Sequence, residues 1–418
     1  MKRYSEYKDS GVKWIGEIPG HWKIMRLRAY LSMYSEKNHP DKQLLSVTRE
    51  SGVIVRNTES KEENHNYIPD DLSGYKLVRI GDFAINKMKS WQGSYGVSNF
   101  EGIVSPAYYV CKLKFPYKDF FSNAIRCKAY IPFFTQYSKG IRVDQWDLSP
   151  IALKNIPFFE PPLPEQEAIV TYLDTKVAKI DEYISIAEKK IAALEELKQT
   201  IIAEAVTRGI HKNVPMKESG VKWIGMIPEH WKVNKIRSHF KERRVKVSDK
   251  DFQALSVAKI GIVPQLEDAC KTDNGNNRKQ VLKGDFVVNS RSDRKGSCGI
   301  SPLDGSVSLI NIVLRPFNIL QEYVHYLFRS HNYIEEFYRN GRGIVADLWT
   351  TRYSEMRNIQ IPVPPLAEQQ EIVTYIEAKV ANINQLCQVE RSQIEKLKEY
   401  KQRLISDVVT GKVKVTND

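Results

Sequence analysis

Two stretches of the chain gather side chains able to hydrogen-bond a base edge or hold a phosphate. Asn86-Lys-Met-Lys-Ser-Trp-Gln-Gly-Ser-Tyr-Gly96 carries Lys87, Lys89, Trp91, Gln92 and Tyr95, and Asn289-Ser-Arg-Ser-Asp-Arg-Lys-Gly-Ser-Cys-Gly299 carries Arg291, Arg294 and Lys295. The framing Asn and Gly residues match, while the residues between them are exchanged. Gly lets a backbone turn tightly or approach a ligand closely. Lys, Arg, Gln and Asn read base edges, and Lys, Arg, Ser and Tyr also hold phosphates. Each stretch is therefore either a DNA-contacting loop or an ordinary solvated hairpin. A second pair of candidates lies downstream: Arg142 within Gly140-Ile-Arg-Val-Asp-Gln-Trp146, and Arg342 and Arg352 around Gly343.

Catalytic signatures are missing by the same reading. There is no Gly-x-x-x-x-Gly-Lys-Ser/Thr. Gly341-Arg-Gly-Ile-Val-Ala346 lacks the strand–turn–helix flanks of a dinucleotide site. Glu160-Pro-Pro-Leu163 and Val363-Pro-Pro-Leu366 have the wrong first and last residues for an amino-methyltransferase element. The five cysteines are odd in number, widely spaced and never Cys-x-x-Cys, so neither a disulfide framework nor a zinc site is expected. Reduced thiols, no apolar leader at Met1-Lys-Arg-Tyr-Ser-Glu6 and no long apolar run point to a cytoplasmic chain without a membrane span.

The charge is distributed unevenly. The formal net charge is +13. Residues 1–160 carry a net +7 and residues 213–361 a net +8, whereas 161–212 carry −2 and 362–418 none. Two basic blocks on neutral connectors make two docking faces for a polyanion.

The connectors read as long helices. From Val170, alternate steps of three and four meet Leu173, Val177, Ile180, Ile184, Ala187, Ile191, Leu194, Lys198, Ile201 and Ala205. The same register in the second connector meets Val373, Ile376, Val380, Ile383, Cys387, Glu390, Ile394, Leu397, Lys401, Leu404 and Val408. Neither run contains Pro or Gly, and Gly209 and Gly411 follow where helices stop. This is a coiled-coil pattern. Lys198 and Lys401 share one seam position, where their heads are expected to reach water, the alternative being a role in setting the register. A helix of about 44 residues is roughly 66 Å long. If the second helix packs on the first it must run back antiparallel, which would put the two blocks at opposite ends of a rod.

Within the blocks, Arg79–Asn86 and Lys283–Asn289 read as strands entered by a Gly-Asp turn. Gly102–Val110 and Ser306–Leu314 read as buried strands. Phe120–Tyr137, interrupted near Pro132, and Leu320–Tyr338 read as amphipathic helices.

The blocks are copies. Ser10-Gly-Val-Lys-Trp-Ile-Gly16 returns as Ser219-Gly-Val-Lys-Trp-Ile-Gly225 at an offset of 209, and Pro162-Leu-Pro-Glu-Gln166 returns as Pro365-Leu-Ala-Glu-Gln369 at 203. His21 and His230, and Trp14, Trp22, Trp223 and Trp231, sit in the repeated opening motif, where packing and hydrogen bonding are their expected work. In order, Lys13-Trp-Ile-Gly-Glu-Ile-Pro-Gly-His-Trp22, Lys222-Trp-Ile-Gly-Met-Ile-Pro-Glu-His-Trp231, Gly102-Ile-Val-Ser-Pro-Ala-Tyr108 and the two Pro-Leu-x-Glu-Gln helix starts resemble the DNA specificity subunit of type I restriction–modification systems over essentially the whole chain. Gly305-Ser-Val-Ser-Leu-Ile-Asn311 departs from the Ile-Val-Ser-Pro-Ala-Tyr form.

The resemblance implies an α+β chain with two pseudo-repeated α/β target-recognition domains, 1–160 and 213–361, separated by two long antiparallel coiled-coil helices, 161–212 and 362–418. It implies sequence-specific binding of a bipartite, asymmetric site in double-stranded DNA and no catalysis in this chain. The implied partners are two methyltransferase subunits and two motor/endonuclease subunits, which would hold the S-adenosylmethionine, ATP and Mg; this chain would hold no cofactor. Two rivals remain open: a stand-alone coiled-coil adaptor with basic nucleic-acid-binding modules, and a cryptic DNA-modifying enzyme.

Overall fold

The computed structural model describes residues 2–58, 68–140, 146–265, 275–343 and 349–416. It divides into two compact units, Met1–Ile186 with Ser392–Asp418, and Ala187–Arg391. In the first unit, strands β1 (Leu31–Tyr34), β2 (Phe83–Ile85), β3 (Tyr95–Val97) and β4 (Tyr109–Leu113) form an antiparallel sheet in the order β1-β4-β2-β3. Helices α1 (Lys118–Arg126) and α2 (Ile131–Tyr137) follow, and then the long helix α3 (Leu163–Arg208). In the second unit, β5 (Phe240–Glu242), β6 (Phe286–Asn289), β7 (Cys298–Ile300) and β8 (Asn311–Pro316) repeat the order as β5-β8-β6-β7. Helices α4 (Gln321–Arg329) and α5 (His331–Arg339) follow, and then the long helix α6 (Leu366–Val409). The same sheet order in both units shows that the sequence repeat is a structural repeat.

The expected buried strands are each two strands. Gly102–Val104 and Tyr109–Leu113 are separated by a turn in which the Tyr108 amide donates to the Ser105 carbonyl (3.0 Å). Gly305–Val307 and Asn311–Pro316 are separated in the same way at Ser308. The expected helices are also divided. The first breaks at Cys127 and the second at Ser330, both extended (φ −66°, ψ 153° and φ −67°, ψ 142°). Hydrophobic periodicity continues through a one-residue break, so it reads α4 and α5 as one helix.

Gly102 and Gly305 are set by close approach. A Cβ on Gly102 would lie 2.5 Å from the Gln43 carbonyl oxygen, and one on Gly305 would lie 2.6 Å from that of Gln253. Backbone cannot yield as a flexible side chain does, so overpacking of about 1–3 kcal/mol is expected from either Gly102→Ala or Gly305→Ala. Urea unfolding checks this; an unchanged midpoint for both variants would refute it.

Each unit packs its own segments of the long helices antiparallel, with the apolar register of the sequence inward. Val170, Leu173, Ile180 and Ile184 are buried with Ile394, Leu404 and Val408 in the first unit, and Ala205 is buried with Val373, Ile376, Ile383 and Cys387 in the second. The repeated seam lysines do not simply reach water. Lys401 Nζ donates to the Asp181 carboxylate (2.7 Å), and Lys198 Nζ donates to Asn384 Oδ1 (3.3 Å). Asp181 and Asn384 are themselves repeat-related, so the same lysine crosses the seam to the same position in each unit, and Lys198 pairs with Glu195 on its own helix as well.

The opening motif closes each unit where one long helix begins and the other ends. In the first unit Trp22 is fully buried, and its Nε1 donates to Glu165 Oε1 (3.2 Å). His21 Nε2 pairs with Glu165 Oε2 (2.7 Å), and the Tyr4 hydroxyl donates to Glu165 as well. Gly411, at φ +74°, lies so near this cluster that a Cβ there would meet Trp22 Cη2 at 3.3 Å. In the second unit His230 pairs with Glu368 (2.7 Å), and Gly209, at φ +77°, lies against Trp231. Trp14 donates to the Ala129 carbonyl and packs edge-on against Phe133, while Trp223 packs edge-on against Tyr333. The histidines and tryptophans of the motif thus pack and hydrogen-bond, as their sequence context suggests.

Candidate nucleic-acid interface

Buried β2 (Phe83, Ala84 and Ile85) delivers the chain into the first basic stretch. Asn86 is the frame. Its amide donates to the Ser94 carbonyl (3.0 Å), its Oδ1 accepts from the Met88 amide (3.3 Å), and its Nδ2 donates to the Tyr108 hydroxyl (3.0 Å). A single turn of 3₁₀ helix at Ser90–Gln92 is tied to α2 by the Thr135 hydroxyl, which donates to the Trp91 carbonyl (3.1 Å). Lys89 is exposed, and Lys87, Trp91 and Gln92 are half-buried on the same turn.

The second candidate segment of this unit meets the first. The Leu148 amide donates to the Lys87 carbonyl (3.1 Å), Lys87 Nζ donates to Asp147 (2.8 Å), and the Trp91 and Trp146 rings lie 5.5 Å apart, tilted. The hydrogen bond to Asp147 holds the Lys87 ammonium above its ordinary pKa. Arg142 lies outside the described residues.

Tyr95 requires a correction. It is 1% exposed, because β3 turns it inward to stack on Phe134 with ring centroids 3.8 Å apart. Burial holds its hydroxyl well above the usual tyrosine pKa. It is a core residue and presents nothing to a polyanion.

The second unit builds the same frame with different chemistry. The Asn289 amide donates to the Ser297 carbonyl (2.9 Å), and its Oδ1 accepts from the Arg291 amide (3.1 Å), as Asn86 does from Met88. The Thr351 amide donates to the Ser290 carbonyl (2.9 Å), the counterpart of the Leu148–Lys87 bond. The Ser292 amide donates to the Trp349 carbonyl (2.9 Å), and Arg342 and Thr350 exchange backbone hydrogen bonds (3.2 and 3.0 Å). Arg291, Lys295, Arg342 and Arg352 are thereby gathered around the 349–352 segment, and Arg294 follows on the same turn as Arg291. Arg342 has 85% of its side chain exposed, and Arg352 is exposed just before the short helix Tyr353–Met356.

Most of these cations already face a carboxylate. Arg291 Nε lies 3.1 Å from Asp293 and Arg294 Nε 3.7 Å from the same residue. Lys295 Nζ lies 3.1 Å from Glu335 and above the Tyr338 ring, and Arg342 lies 4.0 Å from Glu355. A cleft of about 450 Å³ opens here, lined by Ser292, Asp293, Lys295, Glu335, Tyr338 and Trp349 among others.

Composition passes over Trp146 and Trp349. Both flank the basic turns, and Trp349 is 39% exposed. The signal was present: Gly140-Ile-Arg-Val-Asp-Gln-Trp146 and Gly343-Ile-Val-Ala-Asp-Leu-Trp349 share Gly-Ile-x-x-Asp-x-Trp at the 203-residue offset of the helix starts.

Among the described residues, no group of three or more His, Cys, Asp or Glu is placed to hold a metal, and no helix is long and apolar enough to cross a membrane. Cys111, Cys127, Cys298 and Cys387 are buried, free thiols, and burial raises the pKa of the first three. Cys270 lies outside the described residues.

Two copies of one α/β scaffold each present a basic turn of their own. Residues 231–396 match the family model of the type I restriction modification DNA specificity domain. Two proteins of Methanocaldococcus jannaschii are similar along 98% of this chain and 98% of their own length. They are a putative type I restriction enzyme MjaX specificity subunit, 24% identical over 454 residues, and the type I restriction enzyme MjaVIII specificity subunit, 25% identical over 447. Two solved structures share the fold. One, from work on complex assembly and conformational transition of the type I R-M system, covers 94% of this chain and 98% of its own, with a TM-score of 0.64 and 16% identity. The other is the HsdS subunit from Thermoanaerobacter tengcongensis, covering 95% and 98%, with a TM-score of 0.50 and 17% identity. The second half of the chain thus carries the specificity domain, and the whole chain is similar in sequence to specificity subunits and in fold to the two solved structures.

Proposed function

We infer that the chain reads a bipartite, asymmetric site in double-stranded DNA, one half with each basic module, and directs adenine methylation and restriction by partner subunits. Residues 1–160 and 213–361 serve as target-recognition domains, and 161–212 and 362–418 as the spacer helices. The observation that carries the reading is the repeated frame with exchanged contents. Asn86 and Asn289 hold equivalent turns, yet one offers Lys87, Lys89, Trp91 and Gln92 and the other Arg291, Arg294 and Lys295. A single scaffold bearing two sets of polar side chains suits two different half-sites, since phosphate contacts position a protein and base contacts specify the sequence.

The partners are methyltransferase and motor/endonuclease subunits, two of each, with S-adenosylmethionine, ATP and Mg held by them and none by this chain. The chain itself contributes binding and orientation. The M. jannaschii relatives are named as specificity subunits, which supports a non-catalytic role.

Methylome sequencing of cells expressing the chain with its neighbouring methyltransferase tests this. Replacing residues 213–361 by the corresponding block of another specificity subunit is expected to change one half-site and keep the other. A change in both, or in neither, would sink the two-reader model. Methyl transfer from labelled S-adenosylmethionine by the purified chain alone would overturn the non-catalytic role.

A further inference from the structure

We propose that Asp147, Asp293 and Glu335 are resident counter-ions of the DNA-facing cations, placed to weaken binding to random DNA more than binding to the cognate site. The proposal rests on the reading of the two basic turns as DNA faces. Asp147 holds Lys87 at 2.8 Å, Asp293 sits between Arg291 (3.1 Å) and Arg294 (3.7 Å), and Glu335 holds Lys295 (3.1 Å). Asp147 and Glu335 come from other parts of their units and are brought to the turns by the fold. Both units have the device, although Asp147 is replaced by Thr350 in the second copy and that copy recruits different carboxylates.

The discrimination follows from charge. Non-specific binding consists almost entirely of cation–phosphate contacts and counter-ion release. A phosphate approaching Lys87 or Arg291 also approaches the carboxylate beside it, and the two anions repel. The acceptor atoms of a base edge, guanine O6 and N7 for example, carry no net charge. A cation can donate to them while keeping its carboxylate. Lys87 has three donors and gives one to Asp147, and Arg291 meets Asp293 through Nε, so its Nη groups can serve a base. The carboxylates therefore oppose the phosphate-only mode and leave base-edge contacts largely unopposed.

The test uses the full-length protein with Asp147→Asn, Asp293→Asn and Glu335→Gln. Asp174→Asn and Glu377→Gln, at exposed carboxylates on the long helices, serve as charge-matched controls. Fluorescence anisotropy measures binding of a duplex carrying the motif found in the methylome and of a scrambled duplex, from 50 to 200 mM salt. Each freed cation is expected to steepen the scrambled-duplex salt slope by about 0.9, which tightens that complex about threefold at the low-salt end relative to the high-salt end. Cognate affinity should change less, so that the cognate-to-scrambled ratio falls at least about threefold. Variants that match their controls on both duplexes overturn the proposal. So does a tenfold loss confined to the cognate duplex, which would make the carboxylate a base reader itself. Failure of the wild-type protein to prefer the methylome motif is a different result and overturns the DNA reading beneath the proposal. The three variants probe separate pairs, so a folding defect in one, seen by circular dichroism, leaves the other two to decide.

Discussion

Trp22→Ala is expected to destabilise the first unit by about 3–5 kcal/mol, the range for emptying a fully buried Trp site. Trp22 is the wedge on which the opening hairpin, the first turn of α3 and the last turn of α6 close. Its ring is fully buried, its Nε1 donates to Glu165, and Gly411 is pressed against its edge. For about 200 residues a loss of this size lowers the melting temperature by about 6–20 °C. Because the chain has two compact units, a single two-state transition is not assured, so hydrogen exchange of the 2–30 segment gives the local readout.

The repeat supplies an internal control. Trp231 is equally buried, but its Nε1 finds no acceptor among the described residues, and Glu368 pairs with His230. Trp231→Ala should therefore cost a similar packing term. Replacement by Phe should separate the two sites. Trp22→Phe leaves the Glu165 carboxylate short of one donor in a buried place, at a cost of about 1.5–3 kcal/mol for a bond to a charged group, whereas Trp231→Phe breaks no such bond. If Trp231→Phe proves as costly as Trp22→Phe, the hydrogen bond to Glu165 is not what distinguishes the two copies.

What could be read from the sequence follows the range of the interactions concerned. The long helices were legible because their 3.5-residue register is local and uninterrupted: Val170, Leu173, Ile180 and Ile184 are buried as that register requires. The duplication was legible because its anchors, the opening motif and the Glu165 and Glu368 helix starts, hold one junction in each unit. The break at Ser330 was not, since it is a single extended residue inside an unbroken apolar pattern, whereas the interruption expected near Pro132 is present, with the break itself at Cys127 and Pro132 in the first turn of α2. Tyr95 looked like a surface residue among polar neighbours, and only its place on β3 against Phe134 turns it inward. The partners of the basic turns divide in the same way. Asp293 is adjacent to its arginines in sequence, while Asp147 and Glu335 reach Lys87 and Lys295 only through the fold.

Removing the cations themselves should have the larger effect on DNA. Arg291→Ala combined with Arg294→Ala and Arg342→Ala deletes three exposed or half-exposed guanidiniums, two of them on residues bridged to Thr350. If all three hold phosphates, the salt slope becomes shallower by about 2.7, and a fourfold rise in salt then costs about 40-fold less affinity than it costs the wild type. Any that instead reads a base costs about 1–3 kcal/mol on the cognate duplex and relaxes the sequence at that position. Cognate affinity at low salt is accordingly expected to fall about 100-fold, and the methylome to lose definition in one half-site while the other is kept. Lys87→Ala with Lys89→Ala should blur the other half-site. Tyr95→Phe should change neither, because its buried hydroxyl has no hydrogen-bond partner to lose. A triple arginine variant that binds within threefold of the wild type at every salt concentration would remove this surface from the DNA interface, whatever the charge of the block that bears it.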